Sequence, residues 1–198
     1  MNTSPLNTPT VQKFGAANIN KSSETAAQTP TISALVPADI RVERIQTVSK
    51  ANIPQIIYRT TNGRCSTLIS KDKFRKIWQC WLYIQSRQSS PIHQYKIKPS
   101  GIHLQTEMGH YWISSSEAKS FLSRYNRVAI EPLFVKFNDS DAVVWNSINQ
   151  TISLVRETGC SCPDSQYRHT ICKHQIAVQL CQMIEISKPH YPAEPALR

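Results

Sequence analysis

Alternation of apolar and polar positions begins near residue 41 and then changes period several times. Pro54-Gln55-Ile56-Ile57-Tyr58-Arg59 and Cys65-Ser66-Thr67-Leu68-Ile69 read as strands on either side of Asn62-Gly63, a strong hairpin-turn signal. From Lys71 to Arg87 the period becomes helical. Phe74, Ile77, Trp78, Trp81 and Leu82 fall at i, i+3, i+4, i+7 and i+8, the stripe of an amphipathic helix. Tyr95-Lys96-Ile97 and Ile102-His103-Leu104 flank Pro99-Ser100-Gly101 and predict a second hairpin. Ser114-Ser115-Ser116-Glu117 has the spacing of a capping box, and the short helix predicted after it carries Ala118, Phe121, Leu122 and Tyr125 on one side. Val128 to Phe137 reads as a strand interrupted by Pro132, hence an edge strand.

After the polar cluster Asn138-Asp139-Ser140-Asp141 the pattern resumes. Val143-Val144-Trp145 and Ile152-Ser153-Leu154-Val155 predict a hairpin around Asn149-Gln150. Ile176, Ala177, Leu180, Cys181 and Ile184 share one face of a last helix that stops before Pro189. Residues 1–40 show no such period. They are rich in Ser, Thr, Asn, Ala and Pro, with Phe14 their single aromatic, so they bury too little apolar surface to offset ordering entropy. The fold class expected is therefore α+β: a disordered tail over 1–40, a small mixed domain over 41–138, a ββα module over 139–187, and a C-terminal tail over 188–198.

Charge changes the picture by its placement. The net charge is +10, and residues 51–140 hold thirteen Lys/Arg against five acids, whereas residues 141–198 hold five of each. A basic middle is what a phosphate-backbone contact requires, because each neutralised phosphate releases condensed counterions. Lys71, Lys73, Arg75 and Lys76, at the start of the first helix, are the candidate contacts; otherwise they are its solvent face. Arg59, Arg64, Lys96, Lys98, Arg124 and Arg127 are available to extend such a patch. The four Trp and seven Tyr permit base stacking, although Trp78 and Trp81 belong to the helix stripe and are expected in the core.

The chemistry concentrates late in the chain. Cys160-Ser161-Cys162-Pro163 is followed by Cys172-Lys173-His174, with nine residues between Cys162 and Cys172. Three thiols and an imidazole within fifteen residues are the donor types of a closed structural zinc site. With one residue between Cys160 and Cys162, both sulfurs reach one ion only if the backbone bends, and Gly159 and Pro163 bracket the pair. His169, three residues before Cys172, competes with His174 for the fourth position. The remaining thiols, Cys65, Cys80 and Cys181, read as small buried apolar residues. The segment Met1 to Lys13 is polar, unlike the apolar core of a secretory signal, and no run approaches the ~18 apolar residues of a membrane span. An intracellular location (cytoplasm and nucleoid, or nucleus) and a metal site rather than disulfides are expected.

Cys160-Ser161-Cys162-Pro163-Asp164, the loop, and Cys172-Lys173-His174-Gln175-Ile176-Ala177-Val178 resemble the SWIM-type zinc finger, whose pattern is C-x-C, a variable loop and C-x-H on a β-hairpin followed by a helix. The likeness spans about 45 residues, from Ala142 to Ile186, and departs from the usual pattern at Thr170-Ile171. It implies Cys160, Cys162, Cys172 and His174 as the ligands of one Zn²⁺, with His169 left out. Such modules occur in chromatin-associated ATPases and mutator-like transposases, where they are thought to bind DNA or protein. The resemblance thus implies a DNA-binding or accessory factor, with a protein-interaction adaptor as the other reading. Arg168 and Lys173, beside the ligands, would then reach phosphates. No Ser/His/Asp order, glycine-rich phosphate loop or HExxH is present, so neither catalysis nor a small-molecule substrate is expected, and no membrane partner.

Overall fold

The computed structural model describes residues 41–48 and 52–187, with side chains to residue 184; the tails expected over 1–40 and 188–198 lie outside the described residues. Three antiparallel sheets alternate with helices. β1 (Arg41–Val48), β2 (Ile53–Thr60) and β3 (Gly63–Leu68) form sheet A and lead into α1 (Lys71–Ser86). β4 (Ile92–Lys98), β5 (Gly101–Thr106) and β6 (Gly109–Ser114) form sheet B and lead into α2 (Ser115–Ile130). β7 (Leu133–Asn138), β8 (Asp141–Asn146), β9 (Thr151–Arg156) and β10 (Gly159–Cys160) form sheet C, in the order β10-β9-β8-β7, followed by α3 (Pro163–Arg168) and α4 (Lys173–Ser187).

The same plan, a meander of strands closed by a helix, is therefore used three times. Local chemistry repeats with it. Thr60 and Gly63 close the β2–β3 turn, and Thr106 and Gly109 close the β5–β6 turn. In each the threonine hydroxyl donates to the glycine carbonyl at 3.2 Å and accepts an amide inside the turn. Gly63 at φ 121° and Gly109 at φ 133° supply a backbone that a side chain would strain. Helix starts repeat as well. Ser70 accepts the Lys73 amide at 3.2 Å and Ser114 accepts the Glu117 amide at 3.2 Å. Each cap satisfies one of the orphan donors of a first turn.

The apolar stripe of α1 is buried as expected, with Trp78 at 0% and Trp81 at 4% exposure. The capping box before α2 is half formed: Glu117 sends its carboxylate to the Trp81 indole N–H at 3.2 Å instead of back to its own cap. Far from short, α2 runs 16 residues and carries Val128 into the core. The strand expected over Val128 to Phe137 therefore starts only at Leu133; Pro132 marks the end of the helix rather than an interruption of a strand. Its edge position in sheet C is as expected.

β7 pairs along its length with β8, so the boundary expected at residue 138 falls inside a hairpin. α4 packs against α1 and α2 on one side and against the strands of sheet C on the other. Ile176, Ala177, Val178, Gln179 and Leu180 are consecutively buried, which a one-sided helical stripe does not produce. Ile184, expected on the buried face, is 36% exposed, and Cys181 is half-buried. The buried side chains of all three units, including Cys160, Cys162 and Cys172, form one continuous cluster.

Candidate metal centre

Cys160 arrives on β10, a strand of two residues paired to β9 through Gly159–Arg156 and Cys160–Val155. Gly159, at φ 149°, turns the chain into it. Ser161 then ends the ladder: its amide donates to the Leu154 carbonyl at 2.9 Å, and its hydroxyl accepts the Leu154 amide at 2.9 Å. Cys162 stands at the N-cap of α3, with Pro163 at the first helical position where a missing N–H costs nothing. The Ser165 hydroxyl returns to accept the Cys160 amide at 3.1 Å, so α3 braces the first two ligands together.

Cys172 begins α4. Its sulfur accepts the Gln175 amide at 3.4 Å while the Gln175 side chain accepts the Cys172 amide at 3.0 Å. This is a capping box with a thiol where Ser114 and Ser70 stand before the other helices. The Cys172 carbonyl accepts the Ile176 amide at 3.2 Å, the first turn of the helix, and His174 follows on that turn.

The ligand atoms of Cys160, Cys162, Cys172 and His174 all lie within 4.8 Å of one another, and all four residues are buried. Nδ1 of His174 is 3.8 Å from the Cys160 sulfur and 4.0 Å from the Cys172 sulfur. Four donors around a Zn²⁺ with bonds of roughly 2.0–2.3 Å are separated by edges of about 3.5–3.8 Å. The cluster is thus already close to a tetrahedron that a zinc ion fills, and Nδ1 is the imidazole atom facing it. Without a cation, Cys162 and Cys172 are both raised above the ordinary thiol range. The neighbouring Cys160 thiol and burial together push Cys172 up to about 12. Burial also pushes Cys162 up, partly offset by the Ser165 amide. Zinc supplies the positive charge that lets these sulfurs ionise, and with four protein ligands it leaves no coordination position for a substrate.

His169 is not part of the cluster. It caps α3 at φ 49° and is exposed. Cys80 is buried in α1, where burial raises its thiol far above the ordinary range, as expected of a packing residue. Cys65, expected to be buried, is exposed on the outward side of β3.

The basic residues beside the ligands are engaged within the fold. Lys173 pairs with Glu131 at the end of α2, and its side chain is only 13% exposed. Glu131 also holds Arg127 at 2.8 Å and the Asn146 amide at 3.1 Å. Burial alone would raise the Glu131 carboxyl, but Lys173 and Arg127 outweigh it and hold the group below its ordinary range. Arg168 is exposed and pairs with Asp164 at 2.9 Å. Lys71 and Lys76 are exposed on α1, and Lys73 and Arg75 are half-buried. Arg75 donates to the His93 carbonyl in β4 at 3.4 Å, whereas Arg87, past the other end of the helix, donates to the Glu157 carbonyl in the β9–β10 turn. Twelve residues of helix separate those contacts by about 18 Å, so the basic start of α1 lies toward sheet B and away from the metal centre.

Sequence reasoning overlooked the residues that position the ligands: Ser161, Ser165, Gln175 and Glu131. The first three left a readable trace in Cys172-x-x-Gln175 and in the hydroxyls around the CxC pair. Glu131 left none, because its partner lies 42 residues away.

Among known families, the SWIM zinc finger model matches residues 143–182, a stretch that contains the four ligands, β9 and most of α4. No curated protein and no solved structure matches the chain.

Proposed function

We propose that this zinc-binding chain, with its SWIM zinc finger, is a nucleic-acid-binding protein, most specifically a DNA-binding or accessory factor, and that it acts by binding rather than catalysis inside the cell. The observation that carries the reading is the separation of metal and charge. The four-ligand centre is closed and works as a clamp between sheet C and α4, while thirteen Lys/Arg against five acids lie in residues 51–140, on the units that the clamp supports. A structural ion that orders a neutral module beside a basic one suits backbone contact followed by a shape-dependent fit. Fluorescence anisotropy of zinc-loaded protein with DNA and RNA, across a salt series, tests it. Binding that weakens linearly in log salt is expected; no binding at low salt would reject the reading.

A second reading, an adaptor that docks a protein partner, has one observation in its favour. On the outer face of sheet C, Phe134 faces Trp145 across β7–β8 and Trp145 faces Ile152 across β8–β9. Ile152 is 71% exposed and the Phe134 and Trp145 rings lie 5.4 Å apart, so the row forms an apolar strip on the zinc-bearing sheet.

A further inference from the structure

The outer face of sheet B is of a different kind. Its cross-strand rows are Lys96–His103–Trp112 and Gln94–Gln105–His110, and every one of these side chains is exposed. Lys98 extends the face along β4. The three strands contain no Asp or Glu, and neither Lys96 nor Lys98 forms an ion pair among the described residues. Glu107, in the β5–β6 turn, lies 3.4 Å from His93.

Trp112 is held in place. A Cβ at residue 101 would lie 2.8 Å from the indole, so the ring packs directly on the backbone of Gly101. Its other neighbour is the His103 ring, centroid to centroid 4.4 Å. Even so, Trp112 remains 43% exposed. An aromatic plane fixed by glycine and histidine, flanked by unpaired lysines and by amides, costs little side-chain entropy when a base stacks on it. A duplex hides its base faces and offers nothing for such a plane to stack on. An acidic peptide would satisfy the lysines but would leave the indole and the amides without a matching group.

Resting on the nucleic-acid reading above, we infer that the outer face of sheet B is a docking surface for single-stranded DNA, with Trp112 as the stacking platform, Lys96 and Lys98 on phosphates, and Gln94 and Gln105 toward base edges. At the edge of this sheet, Arg75 of α1 donates to the His93 carbonyl in β4.

The test is anisotropy of a labelled oligo-dT with the zinc-loaded full chain. Trp112→Ala should weaken binding about tenfold, the lower part of the stacking range. The Lys96→Gln/Lys98→Gln pair should reduce the salt slope by about 1.4, two single-strand phosphates. In Trp145→Phe, Trp112 is the one well-exposed indole among the described residues, and oligo-dT should quench its fluorescence. If wild type binds oligo-dT while both the Trp112 and the lysine variants bind as tightly and with the same slope, the inference fails and the nucleic-acid reading stands. Preference for duplex DNA, oligo-U or polyglutamate over oligo-dT also overturns it. If wild type binds no nucleic acid at all, both fall together. Circular dichroism matching wild type establishes that each variant is folded.

Discussion

The second and third units start alike and close differently. In the second, β6 runs six residues from Gly109, pairs fully with β5, and delivers Ser114 to cap α2. In the third, the strand after the corresponding turn stops after two residues, at Cys160, and the chain leaves through α3 before Cys172 caps α4. One unit is closed by a hydrogen-bonded ladder; the other has the ladder cut short and a four-donor cluster at the break. The difference teaches what the metal is for. It stands in for the missing strand and fixes α4, whose consecutively buried residues fill the space between α1, α2 and sheet C.

The sharpest way to break this comparison is to remove the ion. Chelation, or Cys172→Ala, should unfold α4 and sheet C and also strip the faces of α1 and α2 that α4 covers, since the three units share one apolar cluster. A single cooperative transition, lowered by more than 4 kcal/mol, is expected in calorimetry. If amides of β4–β6 kept their exchange protection in the metal-free protein, the units would be energetically independent. Zinc affinity should also fall steeply with acid. In the absence of a cation the Cys162 and Cys172 thiols are raised above the ordinary range, so at least these two protons leave on binding across neutral pH. Apparent affinity should therefore drop about a hundredfold or more per unit of pH lowered, as competition with a chromophoric chelator would show.

A middle-sized effect is expected at Glu131, which ties the end of α2 to the start of α4. Glu131→Ala strands the largely covered Lys173 and should cost about 2 kcal/mol in denaturant unfolding, with zinc content unchanged. Its carboxyl is held below the ordinary value of 4.5, so this contribution is fully present above that pH and is lost as the solution is acidified from there down through the lower folded-state value. An acid limb equally steep in the alanine variant would remove Glu131 from the account.

The smallest effect separates the two outer faces. Trp145→Ser with Ile152→Ser should leave stability within about 1 kcal/mol of wild type, both residues being substantially exposed, and should leave oligo-dT affinity unchanged. A loss of oligo-dT binding as large as that from Trp112→Ala would erase the distinction between sheet B and sheet C.

Much of this was legible in the chain. The hairpin signal at Asn62-Gly63, the Phe74–Leu82 stripe, the Ser114 cap and the CxC…CxH spacing each express an interaction made within a few residues; the last three lie where the pattern put them, and the loop itself is Thr61-Asn62, one position earlier than read, with Gly63 opening β3. What escaped depends on distant partners. In β1 a register shift between Val42 and Arg44 breaks the alternation, and in β6 the apolar Trp112 stands on the exposed face; α3 is one short helix inside what read as a loop. Cys65 looked like a core residue by type, but the period of two turns it outward. The threefold plan itself is nearly silent in sequence: it shows only in the Thr-x-x-Gly turns and in the caps Ser70, Ser114 and Cys172, while the residues between differ.

The span of the metal ligands carries a consequence for the order of assembly. All four lie between residues 160 and 174, so gathering them closes loops of fewer than ten residues, whereas the core that buries α4 also joins it to α1, which ends 87 residues before α4 begins. Short closures are entropically cheap and fast, and distant contacts are slow. The ion can be captured while the rest of the chain is still searching, and α4, its first turn already set by Cys172 and Gln175, then serves as the template on which α1 and α2 dock. Refolding started with zinc present should accordingly outpace refolding to which zinc is added late.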